Sequence, residues 1–164
     1  MRTFGTFAAV LLALMIGGLS DAAGDGGSNE SKKLPPAANS DYQAGKAAVE
    51  AEDYQRAIDH MTKVVATAPD NADALNYLGY SHRKLGHFDE SLVWYQKALA
   101  ANPNHRGANE YLGELYLQMG DLAKAEERLN KLDDLCFFGC EEYDDLKQEI
   151  AEYKAAQATS AKPQ

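Results

Sequence analysis

Basic charge is scarce in this chain. Its 164 residues hold 16 Lys and Arg against 25 Asp and Glu, a formal net charge of −9. Nucleic-acid binding draws on a basic footprint that displaces counterions from phosphate. None is present, and Lys32-Lys33 is too short to make one, so no nucleic-acid partner is expected. Beyond the N-terminal segment, no apolar run approaches the ~18 residues of a membrane-crossing helix, so the mature chain is expected to have no membrane span. A Gly-rich phosphate loop, a His-Glu-x-x-His pair and a nucleophile elbow are all missing. The many acidic pairs fall on charge-patterned helix faces, not in apolar pockets that would split their pKa values. No group meets the geometric requirements of catalysis. The chain therefore reads as a non-enzyme, with no catalytic residues, no metal ligands and no cofactor.

Cysteine is nearly absent: the two present are Cys136 and Cys140. In an exported chain they meet oxidising conditions, and a disulfide between them is the favoured reading. Two alternatives stay open. Redox chemistry usually uses two intervening residues and a strand-containing fold, whereas this pair has three and no strand pattern. Copper(I) or zinc suits two thiolates but needs further ligands. His60, His82, His87 and His105 are scattered, and none is near the pair in sequence.

What the chain does contain is an internal repeat of 34 residues. The windows 38–71, 72–105 and 106–139 align without gaps. Their eighth place is Gly45, Gly79 and Gly113. Glycine inside a helical pattern costs about 1 kcal/mol against alanine, so three in register imply close approach of a neighbouring helix. The seventh place is Ala44, Leu78 and Leu112, and the seventeenth is Tyr54, Phe88 and Leu122. The twentieth is small in every window: Ala57, Ser91 and Ala125. The twenty-fourth is Met61, Tyr95 and Leu129. Gly86 and Gly120 mark turns between helices, with Glu52 at the matching place in the first window. Pro69 and Pro103 close the first two windows, where proline stops a helix, and Phe137 stands at that place in the third.

Each window thus predicts two amphipathic helices with an apolar stripe at 3.6-residue period. Those expected are about Ser40–Ala51 and Tyr54–Thr67, Ala72–Leu85 and Phe88–Ala101, and Arg106–Met119 and Leu122–Asp134. Ser40 and Gln43 have the spacing of a capping box for the first. A last helix, about Glu141–Ala156, carries Tyr143, Leu146, Ile150 and Tyr153 on one side and an acidic face on the other. Stacked repeats leave an apolar end that an atypical terminal element covers, and this helix fits that role.

The pattern resembles the tetratricopeptide repeat family over Ala38 to about Gly139. The resemblance implies an all-α fold, a right-handed superhelix of three helix-turn-helix repeats with a C-terminal capping helix. It also implies that the first helix of each unit lines a concave groove. Carried over by position, the partner-binding groove residues are Tyr42 and Lys46 from the first unit, with Glu50 beside them. The second unit supplies Asn76, Tyr80, Arg83 and Lys84, with Asp73. The third supplies Glu110, Glu114 and Gln118, with Leu117. Tyr42, Tyr80 and Arg83 are the expected anchors, because aromatic and Arg groups favour contact hot spots. Some family members bind the C-terminal carboxylate of chaperones with Lys, Asn and Arg. Tyr42 and Tyr77 stand where a Lys and an Asn belong, so that activity is not carried over. Charge in the groove runs from mixed to acidic at the third unit, which suits a peptide with a basic part there.

Residues 1–22 have Arg2, an apolar run from Phe7 to Leu19 and then small residues, the layout of a cleaved signal peptide. Residues 23–39 read as a flexible linker. The repeats follow over 40–139, the cap over 140–158, and a frayed tail over 159–164. The expected protein is periplasmic or secreted. It binds a protein or peptide partner in its groove as a scaffold or adaptor, in envelope assembly if the cell is bacterial. A self-assembling homo-oligomer is the alternative, together with the copper or redox reading of the cysteines.

Overall fold

The computed structural model describes residues 34–160. The expected signal peptide, the linker up to residue 33 and residues 161–164 of the tail lie outside them. Seven helices and no strand occur among the described residues: α1 Pro36–Glu50, α2 Tyr54–Thr67, α3 Ala72–Lys84, α4 Phe88–Ala101, α5 Arg106–Gln118, α6 Leu122–Leu135 and α7 Glu141–Ser160.

Local chemistry sets the helix starts. Asp53, Asn71 and Asp121 each accept a hydrogen bond from the amide three residues on, and the ring of His105 does the same for Ala108. These bonds satisfy amides that a helix's first turn leaves unpaired. The capping box expected at Ser40 and Gln43 does not form. Helix α1 instead begins at Pro36, in its first turn, and Asn39 already donates to the Pro35 carbonyl. Proline there loses no hydrogen bond and has its φ preset for the helix. The last four residues assigned to the linker are therefore helical. At the other end, α7 runs on through Ser160, beyond the expected tail boundary.

The recurring glycines sit where helices touch. A Cβ at Gly45 would fall 2.8 Å from Met61, and one at Gly79 would fall 2.5 Å from the Tyr95 ring. Ser91, the small residue of the second unit, buries its hydroxyl and donates to the Gly79 carbonyl at 2.7 Å. In the third unit the occupant changes. A Cβ at Gly113 would meet Leu146 of α7 at 2.5 Å, not the Leu129 of its own second helix.

Helix α7 thus closes the stack. Leu146 and Ile150 are buried with Leu117, Ala125 and Leu132, and Tyr143 and Tyr153 pack alongside. Each fully buried aliphatic side chain contributes about 1.5–3 kcal/mol, so the cap is part of the core. Between α6 and α7 the sulfurs of Cys136 and Cys140 lie at bonding distance, 2.00 Å. They form a disulfide that leaves no free cysteine among the described residues. Phe137 and Phe138 project from its loop, 88% and 96% exposed.

Candidate functional site

First helices α1, α3 and α5 present their polar stripes on one face, and that face is built on tyrosine. Tyr42 of α1 meets Tyr77 of α3 edge-on at 6.0 Å. Tyr80 of α3 meets Tyr54 at 6.1 Å and Tyr111 of α5 at 5.0 Å. Lys84, exposed, holds its ammonium 5.6 Å from the Tyr80 ring centre. Such contacts fix the rings in place.

Beneath the tyrosines, Arg83 does something other than expected. Sequence position made it a contact anchor, but it is only 6% exposed. Its guanidinium bonds Glu114 at 2.6 Å and lies 5.4 and 5.6 Å from the rings of Tyr80 and Tyr111. Arg83 is therefore an internal strut joining α3 to α5. Burial pushes the Glu114 carboxyl up, and the Arg83 charge opposes that rise. Leu117 is likewise core, not groove.

Of the other expected groove residues, Tyr42, Lys46 and Tyr80 are half-buried, and Glu50, Lys84 and Gln118 are exposed. Asn76 and Glu110 are buried, at 6% and 7% exposure. Both belong to a cleft of about 360 Å³ whose walls come from α3, α5 and the start of α7. Asp73, Tyr77, His105, Gly107 and Tyr111 complete one side, and Glu141, Glu142 and Asp145 the other. Burial, with Glu114, Asp145 and Glu142 nearby, raises the Glu110 carboxyl to about 8, the Arg83 charge opposing. Asp73 is held below the usual carboxylate range, first by its hydrogen bond with His105. The His105 Nδ1 accepts the Ala108 amide proton, so Nε2 carries the ring's hydrogen and donates to Asp73 Oδ1 at 3.0 Å.

Sequence reasoning missed the α7 side of this cleft and Tyr111. The signal was available in the repeat itself. Asp73, Gly107 and Glu141 are successive residues at the 34-residue interval, as are Tyr77, Tyr111 and Asp145. Carrying the register into the cap places all six around the same cleft, so α7 stands where the first helix of a fourth unit would.

A concave face assembled from first helices in register defines the class: a helical-repeat solenoid of the kind that presents spaced side chains to a partner. The chain belongs to the tetratricopeptide repeat family. Two family models described as tetratricopeptide repeat match residues 42–106 and 83–150, and together they reach into α7. Solved neighbours share the right-handed superhelical fold. The Sgt2 tetratricopeptide domain of Aspergillus fumigatus is 20% identical with a TM-score of 0.70, over 80% of this chain and 87% of that one. The second such domain of human RPAP3, in complex with an HSP70 peptide SGPTIEEVD, is 19% identical with a TM-score of 0.63, over 70% and 94%. Among curated proteins, 70 residues are 34% identical to a probable UDP-N-acetylglucosamine–peptide N-acetylglucosaminyltransferase, SPINDLY, of Hordeum vulgare. The match takes in 43% of this chain and only 7% of that one.

Proposed function

We propose that this protein is a non-enzymatic scaffold that holds a protein or peptide partner in its concave groove, outside the cytoplasm. The observation that carries the reading is the tyrosine face, braced by the buried Arg83–Glu114 pair. A surface fixed before binding loses little side-chain entropy on association, and tyrosine supplies contact area from few rotatable bonds. The RPAP3 neighbour, bound to its peptide, supports a groove ligand. Transferase activity stays with SPINDLY, whose matched segment is a small fraction of its length. Export is supported by the N-terminal sequence pattern and by the Cys136–Cys140 bond. The role proposed for such an exported scaffold is bacterial envelope assembly, and the protein recovered as partner will test it.

The experiment is site-specific photocross-linking in the native cell. A photoreactive residue replaces Lys46, Lys84 or Gln118 on the first helices, or Gln55 or Gln96 on the second helices. Discrete adducts from the first set alone are expected. Adducts only from Gln55 and Gln96, or none at any position, would overturn the groove reading.

A further inference from the structure

The cleft between α3, α5 and α7 holds a buried hydrogen-bond acceptor that nothing satisfies. Asn76 Oδ1 is buried and has no hydrogen-bond partner. Glu110, 7% exposed, makes no ion pair or hydrogen bond among the described residues. Burying an acceptor without a donor costs about 1–3 kcal/mol, so the buried Asn76 Oδ1 beside the unpaired Glu110 carboxyl calls for an occupant. Asp145 and Glu141 are likewise unpaired at the rim. Existing partners only partly offset the remaining charge. Asp73 accepts a hydrogen bond from His105 Nε2, and Glu142 lies 3.5 Å from Arg106 Nε. Once Glu110 is ionised, the carboxylates and Asn76 Oδ1 left open are acceptors, in a cleft that Tyr77 and Tyr111 also line.

The occupant is then a donor, cationic and flat. A metal ion fits poorly: no cluster of three or more metal-ligating side chains occurs among the described residues. An ammonium is a compact, strongly hydrated charge with three donors. A guanidinium offers five donors in a planar fork, is weakly hydrated and stacks on aromatic rings. The geometry points to a subsite for one arginine side chain of the groove's peptide partner, its guanidinium taken by Glu110, Asp145 and Asn76 Oδ1 beside Tyr77 and Tyr111. This inference rests on the groove reading and gives it a chemical preference. It also gives the cap helix a second task, since without α7 the cleft has no far wall.

Ionisation links the subsite to pH. The groups around Glu110 are Arg83 and Asp73 from α3, Glu114 from its own helix, Glu142 and Asp145 from α7, and His105 before α5. A raised carboxyl ionises only as pH climbs, so a cation binds more tightly above pH 8 than at pH 6.

The probe is a blocked pentapeptide, acetyl-Gly-Ser-Arg-Ser-Gly-amide, titrated into nitrogen-15-labelled full-length mature protein and followed by amide chemical shifts. Saturable shifts at Gly107, Tyr111 and Asp145 are expected, stronger at pH 8.5 than at pH 6. The same peptide with citrulline, which keeps the shape without the charge, is expected to leave those amides unmoved. Glu110→Gln and the exposed Asp145→Asn are each expected to weaken the arginine peptide by about tenfold or more, the equivalent of one charged hydrogen bond. Citrulline binding as well as arginine, a lysine peptide binding equally tightly, or insensitivity to both substitutions would overturn the assignment. Silence toward arginine with first-helix cross-links intact removes the subsite and leaves the groove. Arginine shifts without any such cross-link support the subsite and remove the groove's macromolecular partner.

Discussion

Arg83 and Glu110 occupy the same polar stripe in neighbouring units, yet their fates differ. Arg83 finds Glu114 at 2.6 Å. Arg83→Ala leaves that carboxylate buried and unpaired, at a cost of about 3–5 kcal/mol, readable in urea unfolding. It should lower stability before it lowers binding. Glu110 has no such partner. Its carboxyl, raised to about 8, holds a proton more tightly folded than unfolded. Stability from this group therefore falls as pH climbs from the ordinary carboxylate value towards 8, and levels off above it. Glu110→Gln removes that slope. Relative to the parent it should gain about 1–2 kcal/mol between pH 5 and pH 8.5, allowing for screening by water in the cleft. Equal pH profiles for the two proteins would contradict the account. Glu52 offers a third test at this scale. It sits at φ 57°, where the later units place Gly86 and Gly120 at φ 77° and 82°. A side chain there is strained, so Glu52→Gly should raise stability by about 0.5–1 kcal/mol, seen as a higher melting temperature. Sequence placed these turns correctly because only a few residue types tolerate positive φ. It misjudged Arg83 because helical position tells which face a residue occupies, not whether a charge waits across the interface.

At the scale of the element, α7 carries the most. Its apolar side of Tyr143, Leu146, Ile150 and Tyr153 is plain from 3.6-residue spacing, and those four residues pack as that spacing implies. What spacing did not show was the contact with Gly113, since in the first two units the matching glycine meets its own unit's second helix. Leu146→Ala opens a cavity beside that glycine and should cost about 2–5 kcal/mol. The start of α1 was misplaced for a related reason. Ser40 and Gln43 have the right spacing for a cap, but Pro36 begins the helix four residues earlier and leaves Ser40 inside it. Between α6 and α7, the Cys136–Cys140 bond closes a five-residue loop. Loop-closure entropy assigns it about 2 kcal/mol. Cys140→Ser should lose that much under oxidising conditions and nothing further on reduction, with denaturant midpoints as the check.

For the whole molecule, the 34-residue register explains both architecture and site. It sets the helix pairs, the close approaches at glycine and the alignment of first helices that makes a groove. The acidic end of that groove was legible as a charge trend towards the third unit. Its cleft was not, because its far side belongs to a helix that reads in isolation as a cap. The central claim is that the concave face, and no other, binds the partner. The most direct measurement is calorimetric affinity of the cross-linked partner, purified, for three proteins of matched circular dichroism: the parent, Tyr80→Ala with Lys84→Ala, and Gln55→Ala with Gln96→Ala. The two groove side chains together should be worth about 1.5–3 kcal/mol, so the first variant is predicted to bind at least about tenfold more weakly while the second binds like the parent. Equal affinity for all three, or loss confined to the second-helix variant, would contradict the account.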